Sequence, residues 1–97
     1  MKDCPVKIYQ AQVIAWAIIG SSIRATGNTN HSVSGQPVVA ASGLAICLAS
    51  DNNGFYLFYC DSSWEEMADT WHQTLEGAKS QAEFEYEGVT AHWQTRV

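Results

Sequence analysis

Positive charge is scarce in this chain. Five Lys and Arg stand against ten Asp and Glu, and only 15% of residues are charged, where an ordinary domain has about a quarter. A chain so poor in bases has no groove with which to hold a polyanion. Nucleic acid and anionic membrane surfaces are therefore excluded as partners. Paired cysteines are missing too: Cys4, Cys47 and Cys60 are odd in number and none lies in a CxxC. That usage suits a reducing cytoplasm, not a secreted disulfide scaffold. No run approaches the roughly 20 apolar residues of a membrane helix. Lys2 and Lys7 precede the apolar run Val13 to Ile19, which has some of the anatomy of a signal peptide. Asp3, Gln10 and Gln12 interrupt that anatomy, and no Ala-x-Ala follows. The run reads as a buried strand. There is no internal repeat.

What is present is apolar. Hydrophobic residues make up 46% of the 97 residues, four of them tryptophan. The length and composition fit one globular domain over 1–97, able to bury a core with little to spare. The acids are unevenly placed. Residues 51–87 hold nine acids and one base, a net −8, whereas the rest holds one acid and four bases, a net +3. An acidic half of this kind either attracts a basic protein partner or serves as a solvated surface kept for solubility.

Residues 53–88 organise the rest. Asn53-Gly54 suits the left-handed backbone of a hairpin turn, and Phe55 to Cys60 is aromatic and strand-like. Leu44 to Ala49 pairs back across the turn. If Asn53-Gly54 alone close the loop, Cys47 lies opposite Cys60; if residues 51–54 do, Cys47 faces Phe58. Either register puts Leu44, Ile46, Leu48, Phe55, Leu57 and Tyr59 on one face. The other carries Ala45, Cys47, Ala49, Tyr56, Phe58 and Cys60. Both faces are apolar, so both need cover, and a long loop or a second subunit is expected on the one the helix leaves. Asp61-Ser62-Ser63 turns the chain into a half-polar strand from Trp64 to Trp71, which belongs near an edge. Thr74 is a good helix N-cap, and Gly88 a left-handed stop. Leu75, Ala78, Ala82, Tyr86 and Val89 form the stripe facing the sheet. Phe84 lies off that stripe, with Gly77 and Ser80.

Elsewhere the reading is plainer. Val13 to Ile19 is apolar on both parities, as in a strand covered on both faces, although so short an apolar run also fits a helix. Residues 21–43 form a long polar loop, with Gln36 to Val39 as a short edge strand beside Pro37. Asn30-His31-Ser32 has the form of a glycosylation sequon, which is inert without secretion. Residues 90–95 suggest a last strand.

No catalytic set is visible. A nucleophile needs a histidine held by a third group, and no motif surrounds His31, His72 or His92. Asp69 and His72 lack metal-ligand spacing, so neither metal nor cofactor is expected. Glu83 and Glu87 share a helix face and read as solvated surface.

Gly54 to Tyr59, the run Asp69-Thr70-Trp71-His72-Gln73-Thr74-Leu75-Glu76, the run Ala78 to Tyr86, and Trp93 together resemble a pattern shared by small, largely uncharacterised bacterial proteins. The resemblance covers roughly the C-terminal half. It implies a small α+β cytosolic protein, close in size and acidity to immunity-type or accessory proteins. Many relatives carry an acid where this chain has Gly77, so the capping box from Thr74 is broken here.

The expected fold is α+β, an antiparallel meander with one main C-terminal helix packed on one face. The expected function is non-enzymatic protein binding as a homodimer, with immunity-like neutralisation of a basic partner. Phe84, Glu83, Glu87, Tyr56 and Phe58 are its candidate contacts. The rival is a small-molecule binder or enzyme with a pocket formed by Tyr59, Asp69, Trp71, His72 and Trp93.

Overall fold

The structure is a computed structural model. It describes residues 1–26, 32–33, 36–37, 40–49 and 53–95, with the backbone alone at 32–33 and 36–37. The sequon, Val38-Val39 and Asp51-Asn52 lie wholly or partly outside those residues. In chain order the strands are β1 (Lys7–Ile8), β2 (Ala11–Ile18), β3 (Arg24–Ala25), β4 (Ser32–Val33), β5 (Gln36–Pro37), β6 (Gly43–Leu48), β7 (Phe55–Cys60) and β8 (Glu66–His72). Helix α1 (Leu75–Glu85), β9 (Tyr86–Glu87) and a 3-10 turn (Val89–His92) complete the chain. A five-stranded antiparallel sheet runs in the order β1-β2-β6-β7-β8, and α1 packs on one face of it. The fold is α+β. Among the described residues no helix is long and apolar enough to cross a membrane.

The β6–β7 pairing corrects both expected registers. Leu48 lies opposite Phe55, Cys47 opposite Tyr56 and Gly43 opposite Cys60. The connection therefore spans 49–54, and the two cysteines do not face each other. The slip is an even number of residues, so each side chain keeps its expected face. Leu44, Ile46, Leu57 and Tyr59 join the helix-side core, while Ala45, Cys47, Phe58 and Cys60 join the layer beyond the sheet. Gly54 is left-handed, with φ 99°. A Cβ there would come within 2.5 Å of the Trp71 indole, so this hairpin tolerates only glycine.

Strand β2 is apolar on both parities because it changes faces midway. Its register against β6 shifts between Val13, paired with Cys47, and Ala15, paired with Ile46. A bulge at Ile14 inserts one residue. Ala11 and Val13 then point into one layer, and Ala15 and Ala17 into the other.

The helix starts as expected: the Thr74 hydroxyl accepts from the Gly77 N–H at 2.9 Å. Ala78 and Ala82 are fully buried, which lets the backbone approach the sheet closely. The helix ends at Glu85, three residues before Gly88, because Tyr86 and Glu87 leave it to pair with Ala25 and Arg24. Gly88, at φ 99°, turns the chain after that pairing. A Cβ there would lie 2.9 Å from the Ser22 carbonyl oxygen. In place of a last strand, the 3-10 turn leads to a single antiparallel bridge between Gln94 and Trp16.

Of the two covers expected for the second face, the loop within 21–43 lies partly outside the described residues, and another subunit is not needed as the main cover. The chain's own N-terminal segment lies over that face. Cys4, Ile8 and Ala11 pack there with Trp64, whose indole N–H donates to the Lys2 carbonyl at 2.7 Å. Gly43 leaves the space into which Met1 and the Trp64 ring fit. Fully burying an Ile, Leu or Val side chain contributes about 1.5–3 kcal/mol, so both layers stabilise the sheet.

Candidate functional site: an aromatic and carboxylate groove at the sheet edge

Alternation along β7 sends Tyr56 and Phe58 away from the helix. Strand β8, the sheet edge, pairs Asp69 with Phe58 and Trp71 with Tyr56, on that same face. In regular pleating Glu66, three residues from Asp69, would point the other way. It does not, because the β7–β8 register shifts between Tyr59, paired with Ala68, and Cys60, paired with Glu66. The extra residue, Met67, turns Glu66 onto the face of Asp69. Partial burial, and then the charge of Asp69, raise the Glu66 pKa above the usual glutamate range.

A third element closes the groove from above. Lys7 pairs with Gln12 and Ile8 with Ala11, which leaves Tyr9-Gln10 as a two-residue hairpin turn. Both are left-handed, with φ 49° and 66°, where Asn-Gly is the usual choice. Such a backbone costs a non-glycine residue about 1–2 kcal/mol. Tyr9 is nevertheless 73% exposed, so burial of its ring does not offset that strain. The ring stands edge-on to Phe58, with centroids 6.3 Å apart and planes at 88°. Tyr56 stacks on Phe58 at 5.7 Å and 12°. Tyr9, Ala11, Tyr56, Phe58 and Asp69 line a cavity of about 320 Å³. On the other side of Tyr9 a cavity of about 390 Å³ is lined by Pro5, Lys7, Ile8, Trp64, Glu65 and Glu66.

A buried polar chain lies on the opposite face, under the helix. Glu85 is only 4% exposed. Its carboxylate accepts from the Tyr59 hydroxyl and, at 3.0 Å, from the Gln81 side-chain amide. The Thr70 hydroxyl and His72 Nε2 lie 2.7 Å apart at the edge. Burial, followed by the bond to Glu85, raises the Tyr59 pKa. Burial lowers that of His72, against the opposing pull of Glu85. A phenol that holds its proton is poorly suited to nucleophilic work at neutral pH. The chain fastens helix to sheet. Sequence reasoning missed Glu85, though a signal was there: it lies three residues after Ala82 and seven after Ala78, within the buried stripe.

The remaining candidates are scattered. Phe84, half exposed, and Glu83 and Glu87 lie on or just beyond the helix, across the sheet from Tyr56 and Phe58. The Glu83 carboxylate accepts from the Gly88 N–H (2.8 Å), the Thr90 N–H (3.0 Å) and the Thr90 hydroxyl (2.8 Å). Those bonds hold its pKa below the usual range. Glu87 pairs with Arg24 at 3.2 Å. The five residues of the rival pocket do not converge. Tyr59 and His72 face the helix side, and Asp69 and Trp71 the other. Trp93 packs on the helix-side core, where its buried indole N–H has no hydrogen-bond partner among the described residues.

Among the described residues no cluster of three or more His, Cys, Asp or Glu is arranged to hold a metal ion. Cys4, Cys47 and Cys60 lie within the second layer as reduced thiols. Burial pushes the Cys47 and Cys60 thiols up to about 12, far from the thiolate needed for nucleophilic or redox chemistry. The class defined by this fold is a small α+β protein, an antiparallel meander under one helix. No protein-family model, curated protein or solved structure matches the chain.

Proposed function

We propose that the protein is a non-enzymatic binding protein that engages a basic protein partner, as immunity proteins do. One observation carries this reading: Glu66 and Asp69 are brought to one face of the sheet edge beside exposed Tyr9 and Trp71. The net charge of −8 over residues 51–87 surrounds that edge with the right sign. The likeness of the C-terminal half to small acidic bacterial proteins agrees with it, and reduced, buried cysteines suit a cytoplasmic setting. The expected homodimer loses its main ground, since the N-terminal segment and Trp64 lie over the face a second copy was to cover.

Titration with Arg- and Lys-rich peptides tests the reading. Saturable binding is expected at about 0.15 M ionic strength, where charges still act over about 8 Å, and it should weaken with added salt. If no basic peptide binds at low or moderate salt, the reading fails.

A further inference from the structure

We infer that the groove between Tyr9, Tyr56, Phe58 and Asp69 receives the guanidinium group of an arginine side chain presented by a protein partner. This rests on the basic-partner reading and names the residue type recognised. The walls are the faces and edges of three aromatic rings, whose π-clouds attract a cation placed over them. The polar end is the Asp69 carboxylate, with Glu66 of the adjoining cavity on the same face of the sheet. A planar, forked guanidinium can bond the Asp69 carboxylate through two N–H groups while stacking on a ring. A lysine ammonium is a point charge and would use the aromatic walls less well. None of the side chains lining this cavity is basic, whereas Lys7 lines the adjoining one. The volume, about 320 Å³, lies at the small end of ligand sites, which run from about 300 to 1,000 Å³. It suits one side chain better than a larger molecule. The strained turn also gains a purpose, since it holds the exposed Tyr9 ring over the opening.

The test is a heteronuclear NMR titration of the whole chain with blocked arginine, blocked lysine and blocked citrulline, followed by an arginine-rich peptide. Blocked arginine should shift the amides of Tyr9, Tyr56, Phe58 and Asp69. Citrulline, neutral and of the same shape, should not. Asp69→Asn should weaken arginine binding about tenfold through loss of a charge-assisted bond, and Tyr9→Ala about threefold through loss of one aromatic wall. Both residues are exposed, and a thermal melt of each variant confirms folding. Equal binding of citrulline, or lysine binding as tightly as arginine, overturns the assignment. If the arginine-rich peptide binds Asp69→Asn as well as wild type and shifts the helix face instead, this inference fails while the basic-partner reading stands. If no basic probe binds anywhere, both fail together.

Discussion

The two sides of the sheet are built from the same strands and finished in opposite ways. On the helix side a regular element with two buried alanines seats closely, and Leu44, Ile46, Leu57 and Val89 lose all contact with solvent. The buried carboxylate there, Glu85, is bonded by Tyr59 and Gln81. On the other side the cover is the N-terminal segment, whose only regular structure is the two-residue β1. It seals the cysteine-rich middle of the sheet and stops short of the edge, where the groove opens. A helix makes its own backbone hydrogen bonds and can lie flat over a whole face. A short irregular segment must satisfy its backbone point by point and covers less. Open, adaptable surface therefore falls on the side without the helix.

An identical substitution on both sides gives the sharpest test of that contrast. Ile46→Ala, in the closed layer, should cost about 4 kcal/mol, and Ile8→Ala, under the looser N-terminal cover, about 2 kcal/mol, because neighbours collapse more readily around the second void. Urea unfolding measures both. Equal losses would mean the two layers are equally tight.

Next in size is Glu85→Leu. It strips the Tyr59 hydroxyl of its carboxylate partner and should destabilise by about 2 kcal/mol. A gain would mean that the buried carboxylate is kept at a net cost to stability.

Glu83→Gln should cost about 1 kcal/mol, discounted for its partial exposure to solvent. Its pH signature is distinctive. The folded-state pKa of Glu83 is depressed, so its contribution is complete above the ordinary glutamate value of about 4.3 and is lost as pH falls through the lower folded value. Melting temperatures across the acid range should fall less steeply for the variant. His72 works in the same direction at higher pH. Its folded-state pKa is lowered, so the unfolded chain binds the extra proton first and stability declines as pH drops below about 6.5. His72→Gln should flatten that region.

The smallest effect expected is at the start of the helix. Replacing Gly77 by Glu removes a glycine penalty of about 0.5–1 kcal/mol. The new Cβ, however, would lie 3.1 Å from the Thr74 hydroxyl that caps the helix. The net gain should fall to a few tenths of a kcal/mol. A full gain in a thermal melt would show that Thr74 yields without losing its bond.

Much of this was legible in the residues themselves. Alternation along 44–48 and 55–60 determined which side chains share a face, and no register slip by an even number could alter that. Thr74 and the alanine-rich stripe determined where the helix begins and which way it looks. Composition determined the acidic balance of residues 51–87. The tertiary structure alone decided the rest, for reasons that are not local. The bulges at Ile14 and Met67 arise because two strands must match lengths across a ladder, and the second of them puts Glu66 beside Asp69. Glu85 is buried because Tyr59 offers it a hydroxyl from another element. The N-terminal segment covers the second face because Trp64, from the far half of the chain, gives it a surface to lie against. Each depends on residues far apart in sequence meeting in space, and a pattern read along one strand or one helix holds no record of them.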